Sequence, residues 1–120
     1  SAFISLHLPR NENTHEILGS DEIHNMKVGA TLINTARGGL VNEPALISAL
    51  RSGHLRGAGL DVFAEEPLAD GHPLLNLDNV ILSPHVAYNT PDAVKAIFEI
   101  TVRNICRYFD GEPINIVAAP

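Results

Sequence analysis

Cysteine is almost missing from this chain. Cys106 stands alone, which excludes a disulfide framework and fits a protein kept in a reducing cytoplasm. Basic residues are scarce as well: eight Lys and Arg stand against 14 Asp and Glu. The resulting net charge of -6 argues against a nucleic-acid partner, whose phosphates call for a basic face. No apolar run comes near the roughly 18 residues that a membrane span requires. Six histidines are present, yet no two are spaced i, i+4, and with one cysteine they form no metal-ligand cluster. What remains is an ordinary globular composition, 45% hydrophobic and 18% charged over 120 positions. That is one domain across residues 1–120, able to bury roughly two-thirds of its unfolded surface.

Four short apolar runs are bounded by Gly, Pro, Asn or Asp, as strands are: Phe3–Leu8, Thr31–Ala36, Ala58–Phe63 and Val80–Leu82. Between the first two, Ser20 reads as an N-cap with Asp21 and Glu22 in the first turn, and Lys27 and Gly29 close the helix. Between the second and third, Asn42 caps a helix with Glu43 and Pro44 in its first turn. Its apolar residues are Leu46, Ile47 and Leu50, and Gly53 ends it. The longest helix is capped by Thr90, opens with Pro91 and stops at Gly111. Val94, Phe98, Val102, Ile105 and Phe109 run down one of its faces. Ala64–Asn79 is the one connection without a clear helix, and loops that long are usually functional. Glu112–Pro120 reads as an extended tail. Strands alternating with helices specify an α/β fold with a parallel sheet and right-handed crossovers.

In an open parallel sheet, ligands bind beyond the carboxyl ends of the strands. Here those ends lead into His7-Leu8-Pro9, Asn34-Thr35-Ala36-Arg37-Gly38-Gly39, Asp61-Val62-Phe63 with Glu65-Glu66-Pro67, and Ser83-Pro84-His85-Val86-Ala87. One edge therefore gathers an Arg, an Asp, a Glu and a His. An Arg fork grips a carboxylate through two parallel hydrogen bonds. A carboxylate beside an imidazole favours its cationic, proton-donating form. Together they are equipment for reducing a 2-oxo acid, with the hydride left to a nicotinamide cofactor. Taken singly, each residue has a plainer reading as a surface Arg, a turn Asp, a solvated acidic loop or a turn His. Agreement among four strand ends outweighs it. Cys106 and the Phe98/Phe109 stripe read as core, and His15, His24, His54 and His72 as structural.

Ser5-Leu6-His7-Leu8-Pro9, Asn34 through Val41, Leu60-Asp61-Val62-Phe63 with Glu66-Pro67, and Ser83 through Ala87 resemble the D-isomer-specific 2-hydroxyacid dehydrogenases in order and spacing. The likeness runs from Phe3 to about Val117. It implies that Arg37 binds the substrate carboxylate and helps polarise the 2-oxo group. His85 would donate the proton in reduction and accept it in oxidation, with Glu66 orienting it and stabilising its charged form. Asp61 is similar to the family residue that hydrogen-bonds the nicotinamide carboxamide. The backbones of Ala36 and Arg37, the His7-Leu8-Pro9 loop, the His85-to-Ala87 turn and Thr14 on the adenine side are implied as further cofactor contacts. Where the family often has an acid directly after Asp-Val-Phe, Ala64 stands. The implied cofactor is NAD, with NADP left open, and the implied substrate is a small 2-oxo or 2-hydroxy acid.

Neither a G-x-G-x-x-G turn nor the acid that reads the ribose accompanies these motifs, and no separate substrate domain does. The resemblance thus implies the second half of a Rossmann-type doubly wound sheet, with four strands, crossover helices and a long C-terminal helix. Such a fragment is expected to be inactive alone and to bind dinucleotide feebly. Its unpaired first strand and apolar helix face imply a homo-oligomer. The competing reading is a non-catalytic dimerisation or interaction module of corepressor type, which retention of Arg37, Glu66 and His85 disfavours.

Overall fold

Ala30, Leu32 and Asn34 are buried along the second strand while Thr31 and Ile33 are only partly covered. That period of two is what a strand inside a sheet imposes. The computed structural model describes residues 1–117 and divides the chain into two units, Ser1–Ala87 and Tyr88–Pro120. In the first unit, β1 (Phe3–Leu6), β2 (Ala30–Asn34), β3 (Leu55–Leu60) and β4 (Val80–Leu82) form one parallel sheet in the order β1-β2-β3-β4. Leu6 stands opposite Asn34, Asn34 opposite Leu60, and Leu60 opposite Leu82. The four carboxyl ends therefore finish level, and the segments after them share one edge of the sheet.

Two helices, α1 (Ser20–His24) and α2 (Glu43–Arg51), complete this unit. Asn42 caps α2 as its sequence indicates, its Oδ1 accepting the Ala45 N–H at 3.0 Å. Ile23 from α1 and Leu46 and Leu50 from α2 join Leu32, Leu40, Leu55, Leu60 and Leu74 in the core. Burial of each such side chain contributes about 1.5–3 kcal/mol.

Several boundaries differ from those read in the sequence, each for a local reason. Helix α1 is capped by Gly19 rather than Ser20, because the Glu22 carboxylate reaches back to accept the Gly19 N–H at 3.0 Å. It ends at His24, and Gly29 (φ +79°) sits inside the following turn, which the Ala30 N–H closes on the Lys27 carbonyl at 2.9 Å. Strand β1 stops at Leu6 rather than Leu8, and β2 at Asn34 rather than Ala36, where the Asn34 side chain takes the Ala36 N–H at 3.1 Å. Strand β3 starts three residues before the expected Ala58 and ends before Asp61. Pairing with β2 overrides the poor strand propensity of Gly57 and Gly59. The long Ala64–Asn79 connection contains a 3-10 turn, Pro73–Asn76, that buries Leu74.

In the second unit, α3 (Pro91–Phe109) begins as expected, with Thr90 Oγ1 accepting the Ala93 N–H at 3.2 Å. Gly111 adopts φ +78° just past its end. Cys106, Phe98 and Phe109 are not core residues: all three are exposed, Phe98 at 68% and Phe109 at 82%, and no residue of α3 is buried. The stripe is apolar, but the described part of this unit brings nothing to cover it. Of the tail read as extended over Glu112–Pro120, residues 118–120 lie outside the described residues.

Candidate active site

The loop after β2 is set by a buried polar side chain. Asn34 is 1% exposed. Its Nδ2 donates to the Arg37 carbonyl at 2.9 Å, and its Oδ1 accepts from Ala36 N–H at 3.1 Å. Gly38 follows, and a Cβ there would stand 1.8 Å from the Phe63 carbonyl oxygen. Only glycine lets this loop lie directly on the backbone that follows β3. Arg37 is left exposed, its guanidinium donating to the neighbouring Ala36 carbonyl at 2.6 Å. Among the described residues it makes no bond to Asp61, Glu66 or His85.

Asp61 directly follows β3 and is 3% exposed. Its Oδ1 accepts the Ser83 hydroxyl at 2.6 Å and the Val86 N–H at 2.9 Å, and its Oδ2 accepts the Ala87 N–H at 2.9 Å. Burial opposes its ionisation, but the Ser83 hydroxyl and the Ala87 and Val86 amides outweigh that, holding the carboxyl below the ordinary carboxylate range. Those bonds fix the turn after β4. They matter because His85 sits in the left-handed region at φ +57°, a conformation that costs a non-glycine residue of order 1–3 kcal/mol.

His85 and Glu66 are brought together, with Nδ1 and Oε2 at 2.8 Å. Glu66 Oε1 accepts the Phe63 N–H at 3.0 Å. The bond to His85 and then the Phe63 amide hold the Glu66 carboxyl below its ordinary range, so it is ionised and can only accept. Nδ1 of His85 therefore carries a proton, and Nε2 has no partner among the described residues. With the two side chains 43% and 37% exposed, a small molecule can reach that nitrogen. A cavity of about 470 Å³ opens beside the pair, walled by Phe63, Pro67, Leu68, Leu75, Leu82 and Pro84.

The remaining expected residues lie on the same edge with other local bonds. His7 meets the Ser5 hydroxyl at 2.8 Å. Thr14 Oγ1 donates to Pro9 O at 2.7 Å and accepts the Asn11 N–H at 2.8 Å, folding the loop after β1 onto itself. Leu8 and Pro9 are exposed, as is Ala87, and Ala36 is partly buried. Asn34, Gly38 and Ser83 were not among the candidates, although they set the positions of those that were. A polar residue at the buried end of a strand was the available signal for Asn34. No three His, Cys, Asp or Glu side chains gather as metal ligands among the described residues, and none of their helices is long and apolar enough to cross a membrane.

Comparison with known proteins agrees on one family. The model for D-isomer specific 2-hydroxyacid dehydrogenase, NAD binding domain, matches residues 1–87, the span of the first unit. Glycerate dehydrogenase of Methylorubrum extorquens is 43% identical over an alignment of 121 residues, which covers 99% of this chain and 38% of that protein. The structure of an acyclic imino acid reductase in complex with NADPH and D-Arg has a TM-score of 0.92 at 38% identity, over 98% of this chain and 38% of the other. D-lactate dehydrogenase with NAD+ from Lactobacillus jensenii gives 0.86 at 34% identity, over 100% and 40%. The chain thus spans about two-fifths of the length of these relatives.

Proposed function

The chain belongs to the D-isomer specific 2-hydroxyacid dehydrogenases, and from that premise we propose that it is the second half of the coenzyme domain of a longer enzyme that interconverts a small 2-oxo acid and its 2-hydroxy acid. The observation that carries this reading is the contact of Glu66 with His85, which leaves Nε2 of a partly exposed imidazole free. Arg37 grips the substrate carboxylate. His85 gives the proton on Nε2 to the carbonyl oxygen in reduction and takes it back in oxidation, while Glu66 keeps the ring oriented through Nδ1.

A nicotinamide dinucleotide, NAD or NADP, supplies the hydride when bound. The residues present fit its nicotinamide end. Asp61 Oδ2 accepts one donor among the described residues, and so retains lone-pair capacity for a carboxamide N–H. His7, Leu8, Pro9, Thr14, the backbones of Ala36 and Arg37, and the His85-to-Ala87 turn would complete the contact. The pyrophosphate end is not matched: Gly38 opens only a three-residue 3-10 turn, not a helix with a free N-terminus. The remaining three-fifths of the parent's length would supply that cradle and much of the substrate pocket. The 120-residue chain alone is therefore inactive.

The same reading extends to assembly. Strand β1 is at the edge of its sheet, and α3 exposes Phe98, Val102, Ile105 and Phe109, which supports a homo-oligomer of the isolated chain. Light scattering at micromolar concentration is expected to give a dimer or larger, and a dispersed monomer would refute it. A free imidazole nitrogen beside an ionised carboxylate disfavours a purely dimerising, corepressor-type module.

The test of the reaction is the full-length parent, assayed for reduction of small 2-oxo acids with NADH and NADPH. Replacing His85→Ala is expected to slow reduction about 100- to 10,000-fold, the usual worth of a positioned acid. Turnover within a few-fold of the parent, or no reduction of any 2-oxo acid, overturns the reading.

A further inference from the structure

Glu43, the first residue of α2, bonds to both ends of the segment that carries Glu66. Its Oε1 lies 3.0 Å from His72 Nε2, and its Oε2 accepts the Ala64 N–H at 3.4 Å. His72 is also held from behind, because its Nδ1 accepts the Leu74 N–H at 3.3 Å. Nδ1 being an acceptor, the ring proton sits on Nε2, and a neutral imidazole donates it to Glu43. Leu74 is 1% exposed, so the cap behind His72 is anchored in the core. On the other side, α2 is fixed by its Asn42 cap and by buried Leu46 and Leu50.

The segment between these anchors needs outside support. From Ala64 to His72 it contains Glu65, Glu66 and Asp70, and its one internal backbone–backbone bond among the described residues runs from His72 N–H to Ala69 O, while the His72 carbonyl accepts the Leu75 N–H beyond it. Yet it supplies Glu66 to the imidazole and Pro67 and Leu68 to the cavity wall. We infer that Glu43 and His72 are positioning residues, a clamp that fixes Ala64–His72 so that Glu66 meets His85 and the cavity keeps its shape. Neither lines the cavity or touches His85, so both act only through the segment they hold. What the segment is held for rests on the reduction proposed above.

Two substitutions in the full-length protein separate the clamp from a local cap. His72→Gln keeps an amide N–H near the place of Nε2 and loses the acceptor for Leu74. His72→Asn keeps that acceptor and is too short to reach Glu43. The clamp predicts that H72N lowers kcat for 2-oxo acid reduction about ten-fold while H72Q stays within about two-fold, with the cofactor KM unchanged in both. The reverse order, equal losses or no loss overturns it. Amide hydrogen exchange reads the clamp without the reaction. In H72N the Phe63 and Ala64 amides should exchange at least about ten-fold faster while the β2 and β3 amides do not change, and in H72Q all should match the parent. A parent that reduces no 2-oxo acid, but shows this exchange pattern, would sink the reaction and keep the clamp. Unchanged exchange in H72N would sink the clamp whatever the reaction.

Discussion

Two glutamate–histidine pairs lie within the first unit at nearly the same distance, 2.8 Å for Glu66–His85 and 3.0 Å for Glu43–His72. Their carboxylates do the same thing. Their imidazoles do not. The ring of His72 spends both nitrogens inside the protein, on Glu43 and on the Leu74 amide, and is 20% exposed. The ring of His85 uses only Nδ1 and is 43% exposed, on a backbone at φ +57° where His72 has φ -53°. A carboxylate contact alone therefore does not single out His85 as the candidate. The free second nitrogen does, together with a backbone that the surroundings must hold in an unfavourable conformation.

If the Glu66–His85 pair handles only the proton, the grip on the substrate lies elsewhere, and Arg37→Lys is the largest test of that division. A compact ammonium cannot make the two-point contact, so the KM for the 2-oxo acid is expected to rise about 100-fold with cofactor affinity unchanged. An equal loss of cofactor affinity would make Arg37 a cofactor residue.

A smaller effect distinguishes the pairs directly. Glu66→Gln loses the carboxylate that orients His85 through Nδ1, so kcat for reduction should fall about ten-fold with the cofactor KM unchanged. Glu43→Gln keeps an oxygen that can accept the His72 N–H and should lose no more than about two-fold. Equal losses in the two variants would erase the distinction between the pairs.

The smallest effect is on stability. Glu66 and Asp61 both bind protons less readily in the fold than in the open chain. What they contribute is fully present above the ordinary carboxylate range and is lost as pH falls through their lowered values. Denaturant unfolding in pH steps should show this acid loss, shallower in E66Q than in the parent. An equal slope would mean that the Glu66 contact contributes no pH-dependent stability.

Much of both units was legible because turn residues punctuate them. Asn42, Thr90, Pro91 and Gly111 do in the structure what their chemistry says, and level strand ends follow from the four apolar runs. Strand β3 was misplaced because Gly57 and Gly59 carry no strand propensity of their own and become strand only through β2. The clamp was invisible for a different reason. Glu43 looks like any first-turn acid, and its partner lies 72 − 43 = 29 positions away, at a distance only the fold can close. Phe98 and Phe109 were misjudged because an apolar stripe says that a helix wants cover, not which residues supply it.

The turn at His85 also has an electrostatic consequence. Successive amide hydrogens after a left-handed residue form a small concavity of the kind that elsewhere receives a phosphate or a free carboxylate. Val86 and Ala87 present such a pair, and Asp61 fills it. The resident anion is part of the chain, permanently bound and never exchanged. An acid of the class proposed above would find these donors taken and two fixed negative charges, Asp61 and Glu66, beside them. On that proposal its carboxylate would be turned away from the β3–β4 end of the edge and toward Arg37 after β2, and the closed concavity would help to decide which way round it lies.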